Sequence, residues 1–199
     1  MGRRFDSSGK SRKEWYEGRY QFEHWYRDES VYFITSRVRD KLPVFITPET
    51  CDIFWQKFEQ YTAQHGFDPW VASLLNTHYH FVGLTSKGED LREMMRKLHG
   101  SVAWLVCKEL KIQHKPFWRD DEHNDYFDGC LRDEDQLRRS YRYTHTQAVR
   151  AGLVRDPNKY PNTKVYRALE ECVRIARERK ALMEGVAYAR YQKSQRKPR

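Results

Sequence analysis

The chain has 199 residues, of which 39% are hydrophobic and 15% aromatic, enough to bury one core in a domain with appended ends. No apolar run approaches the roughly 20 residues that span a bilayer, and MGRRFDSSGKSRKEW lacks the apolar segment of a signal peptide, so a soluble cytoplasmic protein without a membrane partner is expected. The net charge of +9 sits at the ends: residues 1–20 hold six basic and three acidic side chains and residues 164–199 hold eleven and four, while 21–163 come to −1. That distribution excludes a domain that coats nucleic acid over its whole surface and puts polyanion contact at the ends, with a solubilising tail as the alternative.

Residues 1–20, rich in Gly, Ser, Lys and Arg without periodicity, read as a basic flexible arm, and order is expected from about Tyr20 to Trp25. Val31 to Ser36 is β-branched and aromatic, a strand followed by a loop through Pro43. Thr47-Pro48-Glu49 starts a helix with a threonine cap and proline in the first turn; Phe54, Phe58 and Tyr61 mark its buried stripe and Gly66 its end. Trp70 to Leu75 and His78 to Ser86 are apolar runs separated by Asn76-Thr77, which predicts a hairpin. Ser86 and Glu89 have capping-box spacing for a helix whose core stripe is Leu91, Met95, Leu98, Val102, Leu105 and Leu110, with Met94 and Met95 read as packing.

Residues 114–130 are irregular, aromatic and acidic, with room for a short fourth strand over Tyr126 to Leu131. Asp133 with Gln136 caps a helix that is expected to run unbroken to Ala151 and stop at Gly152. Its apolar face is Leu137, Tyr141 and Ala148; its polar face is Gln136, Arg139, Ser140, Tyr143, Gln147 and Arg150. A charged helix is expected from about Lys164 to Tyr191, which divides the chain into an arm (1–20), one domain (21–163) and a basic helix and tail (164–199). Strand, helix, strand, strand, helix, strand is the order of a ferredoxin-like α+β sandwich, an antiparallel sheet with helices on one face. The four cysteines, Cys51, Cys107, Cys130 and Cys172, are dispersed without a CxxC pair and are expected to be reduced.

Two constellations carry chemistry. Residues at i and i+2 of a strand share a face, so His78 and His80 project together with Tyr79 on the other side. On a helix Tyr143 and Gln147, at i and i+4, share a face. Two neutral imidazoles and an amide oxygen are an incomplete N/O set, suited to an open octahedral ion such as Mg²⁺ or Mn²⁺ rather than a closed zinc site. A cation there would polarise a phosphodiester beside a phenol whose ordinary pKa near 10 makes it a poor nucleophile unaided. Arg139 and Arg150 add positive charge, and no separate general base stands out. Each half has a plainer reading: a packed histidine pair in an apolar strand, and a helix tyrosine bridging core and solvent.

LLNTHYHFVGLTS, then LREMMRKLHGS, then YTHTQAVRAGLVRDPNKYP, over roughly residues 22 to 163, resemble the single-tyrosine HUH transposases, in particular the REP-associated tyrosine transposases of bacteria. The resemblance implies a ferredoxin-like fold, His78, His80 and Gln147 as ligands of Mg²⁺ or Mn²⁺, and Tyr143 as the nucleophile that cuts single-stranded DNA through a transient 5′-phosphotyrosine. It implies foldback hairpins with guide sequences as partners, a nucleoid-associated location, and a monomer or homodimer. Such proteins commonly carry Asn-Pro where this chain has Gln147-Ala148, and glutamine supplies the same oxygen. They tend to be basic where this chain has FWRDDEHND (117–125), and an acidic patch there would repel phosphate. A domesticated binder that holds hairpin DNA or RNA without chemistry is the second reading. A zinc hydrolase drawing on His99, His114 or His123 is the third.

Overall fold

The computed structural model describes residues 26–119 and 125–195, with side chains as far as residue 189. The basic arm over 1–20, the entry at Tyr20 to Trp25, and His123 lie outside the described residues. In chain order the elements are β1 (Ser30–Arg37), α1 (Pro48–Gln64), β2 (Phe67–Leu74), β3 (His78–Thr85), α2 (Gly88–Glu109), β4 (Phe127–Leu131), α3 (Glu134–His145), α4 (Gln147–Arg150), β5 (Thr163–Val165) and α5 (Leu169–Gln195). Among the described residues the strands form one antiparallel sheet in the order β4-β1-β3-β2-β5. The first four strands with α1 and α2 are the expected α+β sandwich, and β5 extends it beside β2.

Strand alternation divides the sheet between two cores. Tyr32, Ile34, Tyr79 and Phe81 point to the α1/α2 side and pack with Phe54, Phe58, Met94, Met95 and Leu98. Each such side chain contributes about 1.5–3 kcal/mol on burial, so this aromatic layer dominates the apolar stabilisation. Val31, Val71, Val82 and Leu84 point the other way, under Leu137 and Tyr141 of α3 and Cys172 and Val173 of α5. Helices therefore cover both faces. Gly83 has no room for a side chain: a Cβ there would sit 2.5 Å from the Asp68 carbonyl oxygen and against the Phe67 ring, and β2 carries a bulge opposite it between Pro69 and Val71.

Local chemistry sets the element ends. Thr47 accepts from the Thr50 amide and Thr50 reciprocates, with Pro48 at the first helical position. The Asn76-Thr77 hairpin turn is present, closed by the Leu75 amide donating to the His78 carbonyl at 2.8 Å. At α2 the expected Ser86 cap is not made: Lys87 is the capping residue, and the Gly88 amide instead donates at 2.9 Å to Asp28, sixty residues upstream. The stripe on α2 also runs through Val106, which is buried, rather than Leu105, which is partly exposed.

Two further expectations are corrected. The helix after Asp133 is not continuous to Ala151: it breaks at Thr146 (φ −96°, ψ 6°), and α4 follows as a separate turn. Thr144 and Thr146 donate their hydroxyls to the carbonyls of Ser140 and Arg142, local bonding of the kind that bends helices. α4 then ends with Gly152 at φ +72°, its amide on the Val149 carbonyl and the Leu153 amide on that of Ala148, a conformation that a residue with a Cβ resists. The last helix begins at Leu169, not Lys164, because Thr163 to Val165 pairs with Val71 to Ser73. α5 is about 40 Å long, and from Arg177 to Ala189 every described side chain on it is exposed. No helix among the described residues is long and apolar enough to cross a membrane.

Candidate active site

Where α3 passes over β3, the apolar core gives way to a polar cluster. His78 and His80 share the α3 face of β3, with ring centroids 5.0 Å apart. The Tyr143 ring stands edge-on to His80 at 5.2 Å. The Arg150 guanidinium lies 5.2 Å from the centre of the Tyr143 ring, a cation–π contact that brings α4 back over α3. His78, His80, Tyr143 and Arg150 are thus assembled from three elements of one chain.

The electrostatics of the histidines follow from burial. His80 is 6% exposed, and burial first, then the neighbouring His78, lowers its pKa to about 3. His78 is lowered by burial and then by the charge of Arg37. Both imidazoles are therefore neutral near pH 7, the form in which they donate lone pairs. The Thr77 hydroxyl occupies His78 Nδ1 at 2.9 Å and leaves Nε2. Both ring nitrogens of His80 are buried with no hydrogen-bond partner in the protein. An unsatisfied buried polar group costs about 1–3 kcal/mol, so the sequence carries a cost here that packing alone does not explain.

Gln147, the first residue of α4, is 6% exposed. It follows Tyr143 by four positions, but the break at Thr146 puts it on a different helical segment. Tyr143 itself is 39% exposed, so its phenol is open to a large substrate. Arg139 is exposed on α3 one turn before Tyr143. Among the described residues no three His, Cys, Asp or Glu side chains gather as a metal cluster. The structure brings the two neutral imidazoles together, and of the expected set Gln147 is placed only by its burial at the start of α4.

The histidines that a zinc hydrolase would need lie elsewhere. His99 is on α2, across the sheet, where its Nδ1 is paired with the Asp125 carboxylate, its Nε2 shares a 2.6 Å hydrogen bond with the Tyr79 hydroxyl, and its ring stacks on Trp118 at 4.3 Å. His114 bonds the Arg39 carbonyl at 3.2 Å. Phe117 and Trp118 are core residues, Asp125 serves His99, and Asp128 is buried.

Sequence reasoning missed Phe33. From β1 it stacks on His80 (5.8 Å, 7° between planes), meets Tyr143 edge-on at 5.9 Å, and touches Phe127 at 6.4 Å. Nothing local in VYFITS marks it; only the pairing of Phe33 with Val82, two residues from His80, brings it there.

No family model matches the chain, and no curated protein matches it. Among solved structures it is similar to a REP-associated tyrosine transposase bound to a REP hairpin, with a TM-score of 0.60 and 14% identity over 73% of this chain and 82% of the other. A candidate transposase of Deinococcus radiodurans R1 matches at a TM-score of 0.44 and 12% identity, over 67% of this chain and 98% of the other. In fold, the chain resembles the REP-associated tyrosine transposases.

Proposed function

We propose that the protein is a transposase-type nuclease that cuts and rejoins single-stranded DNA, with Tyr143 as nucleophile. The Tyr143 oxygen attacks a backbone phosphorus, the bond to the 3′ oxygen breaks, and the chain keeps a 5′-phosphotyrosine. The phenol gives up one proton and the departing 3′-hydroxyl takes one up. The phosphodiester energy is retained, so attack by another 3′-hydroxyl reseals the strand without nucleotide hydrolysis.

The observation that carries this reading is the pair of orphaned nitrogens on His80, beside His78 and 5.2 Å from an exposed tyrosine ring. Their neutrality and want of a partner fit a metal ligand better than a packed pair. His78, His80 and Gln147 would hold Mg²⁺ or Mn²⁺, which supplies charge neutralisation at the attacked phosphate and at the leaving oxygen. Phe33 and His80 meet the Tyr143 ring edge-on and the Arg150 guanidinium lies against it, which orients the phenol and keeps positive charge near the incoming phosphate. One chain carries the set, so a monomer suffices and a homodimer needs no exchange of residues. Hairpin DNA as substrate is supported by the fold it shares with a hairpin-bound transposase. The basic arm over 1–20 and, beyond the part of α5 that packs on the sheet, its exposed length from Arg177 are the DNA-contacting additions of the same proposal, which also puts the protein beside the bacterial chromosome in the cytoplasm.

The test is incubation with labelled hairpin oligonucleotides carrying single-stranded flanks, with Mn²⁺, Mg²⁺ or chelator, then a denaturing gel and peptide mapping. A metal-dependent adduct on Tyr143 is expected, absent in Tyr143→Phe. Salt-sensitive hairpin binding without any adduct, indifferent to chelator, would replace the enzyme by the domesticated binder.

A further inference from the structure

The sheet register carries a row of basic groups past the histidines. Arg37, the last residue of β1, pairs with His78. The Val38 amide donates to the Thr77 carbonyl at 2.8 Å, which makes Arg37 and His78 a non-hydrogen-bonded pair, the closer of the two antiparallel spacings. On the other side of β1 a bridge joins Val38 to Trp118, and the Arg119 amide donates to the Arg37 carbonyl at 2.8 Å, so Arg119 is the cross-strand neighbour of Arg37. Strand alternation turns Arg37 to the face of Phe33, the residue that stacks on His80. Its charge reaches His78 and depresses that ring's pKa.

Arg37 is half-buried, and among the described residues its guanidinium has no hydrogen bond or ion pair. A half-buried, unpaired cation beside a second arginine and next to His78 is a place prepared for an anion. Guanidinium takes phosphate bidentately.

We propose that Arg37, with Arg119 beside it, is a phosphate subsite for the single-stranded segment that enters the site past His78. It binds a nucleic-acid backbone phosphate next to the one attacked and so sets which internucleotide bond faces Tyr143. This subsite rests on the nuclease reading above and deepens it. It is separate from Arg150, which engages the Tyr143 ring, and from the basic tail of α5.

The experiment compares wild type, Arg37→Gln, Arg37→Lys and Arg119→Gln for binding to a labelled hairpin with a single-stranded flank over a salt series. Adduct formation and the mapped cut position are read on the same oligonucleotide. Each lost phosphate contact is expected to reduce the slope of log K against log salt by about 0.7. Arg37→Gln is expected to weaken binding at low salt and scatter the cut position, with Arg37→Lys restoring the slope but not the position. Its thermal midpoint is expected to hold or rise, because a half-buried charge without a partner is removed; a purely structural Arg37 would lower it. Unchanged slope and cut position in Arg37→Gln, with wild type still forming its adduct, would overturn the subsite and leave the nuclease standing. Loss of slope in Arg37→Gln with no adduct in wild type would keep the subsite and remove the chemistry. No binding of single strands by wild type would overturn both.

Discussion

Replacing His80 by phenylalanine separates the cost of the site from its use. The substitution keeps a planar ring stacked on Phe33 and edge-on to Tyr143, and removes two nitrogens that have no partner in the protein. Relief of one unsatisfied buried donor or acceptor is worth about 1–3 kcal/mol, and one additional ring atom in a packed site takes back up to about 1 kcal/mol. The metal-free His80→Phe protein should therefore be more stable than metal-free wild type, by about 1–2 kcal/mol or roughly 2–8 °C. The pH dependence has a definite sign. The folded pKa of about 3 lies below the unfolded value of 6.5, so the stability from a neutral His80 is complete above pH 6.5 and is lost as pH falls toward 3. A gap of about 3.5 pH units sets the loss at no more than about 5 kcal/mol, and the variant should not show it. Urea unfolding in chelator at pH 7.5, 6 and 5 measures both effects, and DNA adduct formation measures function. A variant less stable than wild type at pH 7.5 with an unchanged urea slope, or one that still forms a metal-dependent adduct, would refute the reasoning.

Tyr143→Phe should abolish the adduct while leaving hairpin affinity within about twofold, since the ring contacts with Phe33, His80 and Arg150 survive; a filter-binding titration beside the gel checks both. Gln147→Ala should raise the Mn²⁺ concentration for half-maximal adduct formation by at least about tenfold, and Gln147→Glu should keep metal dependence; equal requirements in wild type and Gln147→Ala would remove Gln147 from the ligand set. Asp133→Ala should cost about 0.5–2 kcal/mol through loss of its bond to the Gln136 amide at the start of α3, read as a lower urea midpoint. Gly83→Ala should destabilise by more than about 1 kcal/mol, because its Cβ would meet the Asp68 carbonyl oxygen and the Phe67 ring.

What was legible in the sequence was what is decided locally. Thr47-Pro48, Asp133 and the Asn76-Thr77 turn each satisfy their own neighbours, and HYH alternation places both histidines on one face whatever lies above it. What was illegible was decided by distant partners. Asp28 takes the role expected of Ser86 at α2 because β1 and β3 pair from Ser30–Thr85 onward, which brings it beside Gly88. Three-residue β5 has no pattern of its own; it is held by Ser73 bonding Thr163 at 2.9 Å, by Trp55 donating to Asn162 at 3.0 Å, and by Lys164 over the Trp55 ring. Phe33 and Arg37 join the site only through strand pairing. Composition likewise does not reveal that Asp125, at the end of the acidic stretch, answers a buried histidine.

The break at Thr146 bears on how such a site can work. On one continuous helix, Tyr143 and Gln147 at i and i+4 would share a face and a similar exposure. Here the exposures differ: Tyr143 is 39% exposed and Gln147 6%. The proposed chemistry asks for that difference. The nucleophile has to be reached by a polymer and carries one DNA end until another arrives, whereas a metal ligand has to stay where the histidines are. α4 is fixed independently, by Ala148 in the core and by the Leu153 and Gly152 amides closing its end. Among the described residues the Tyr143 side chain is met by ring contacts, each worth about 0.5–1.5 kcal/mol. Movement of the tyrosine with its attached strand then costs little, while the buried ligand residue keeps its place in the fold.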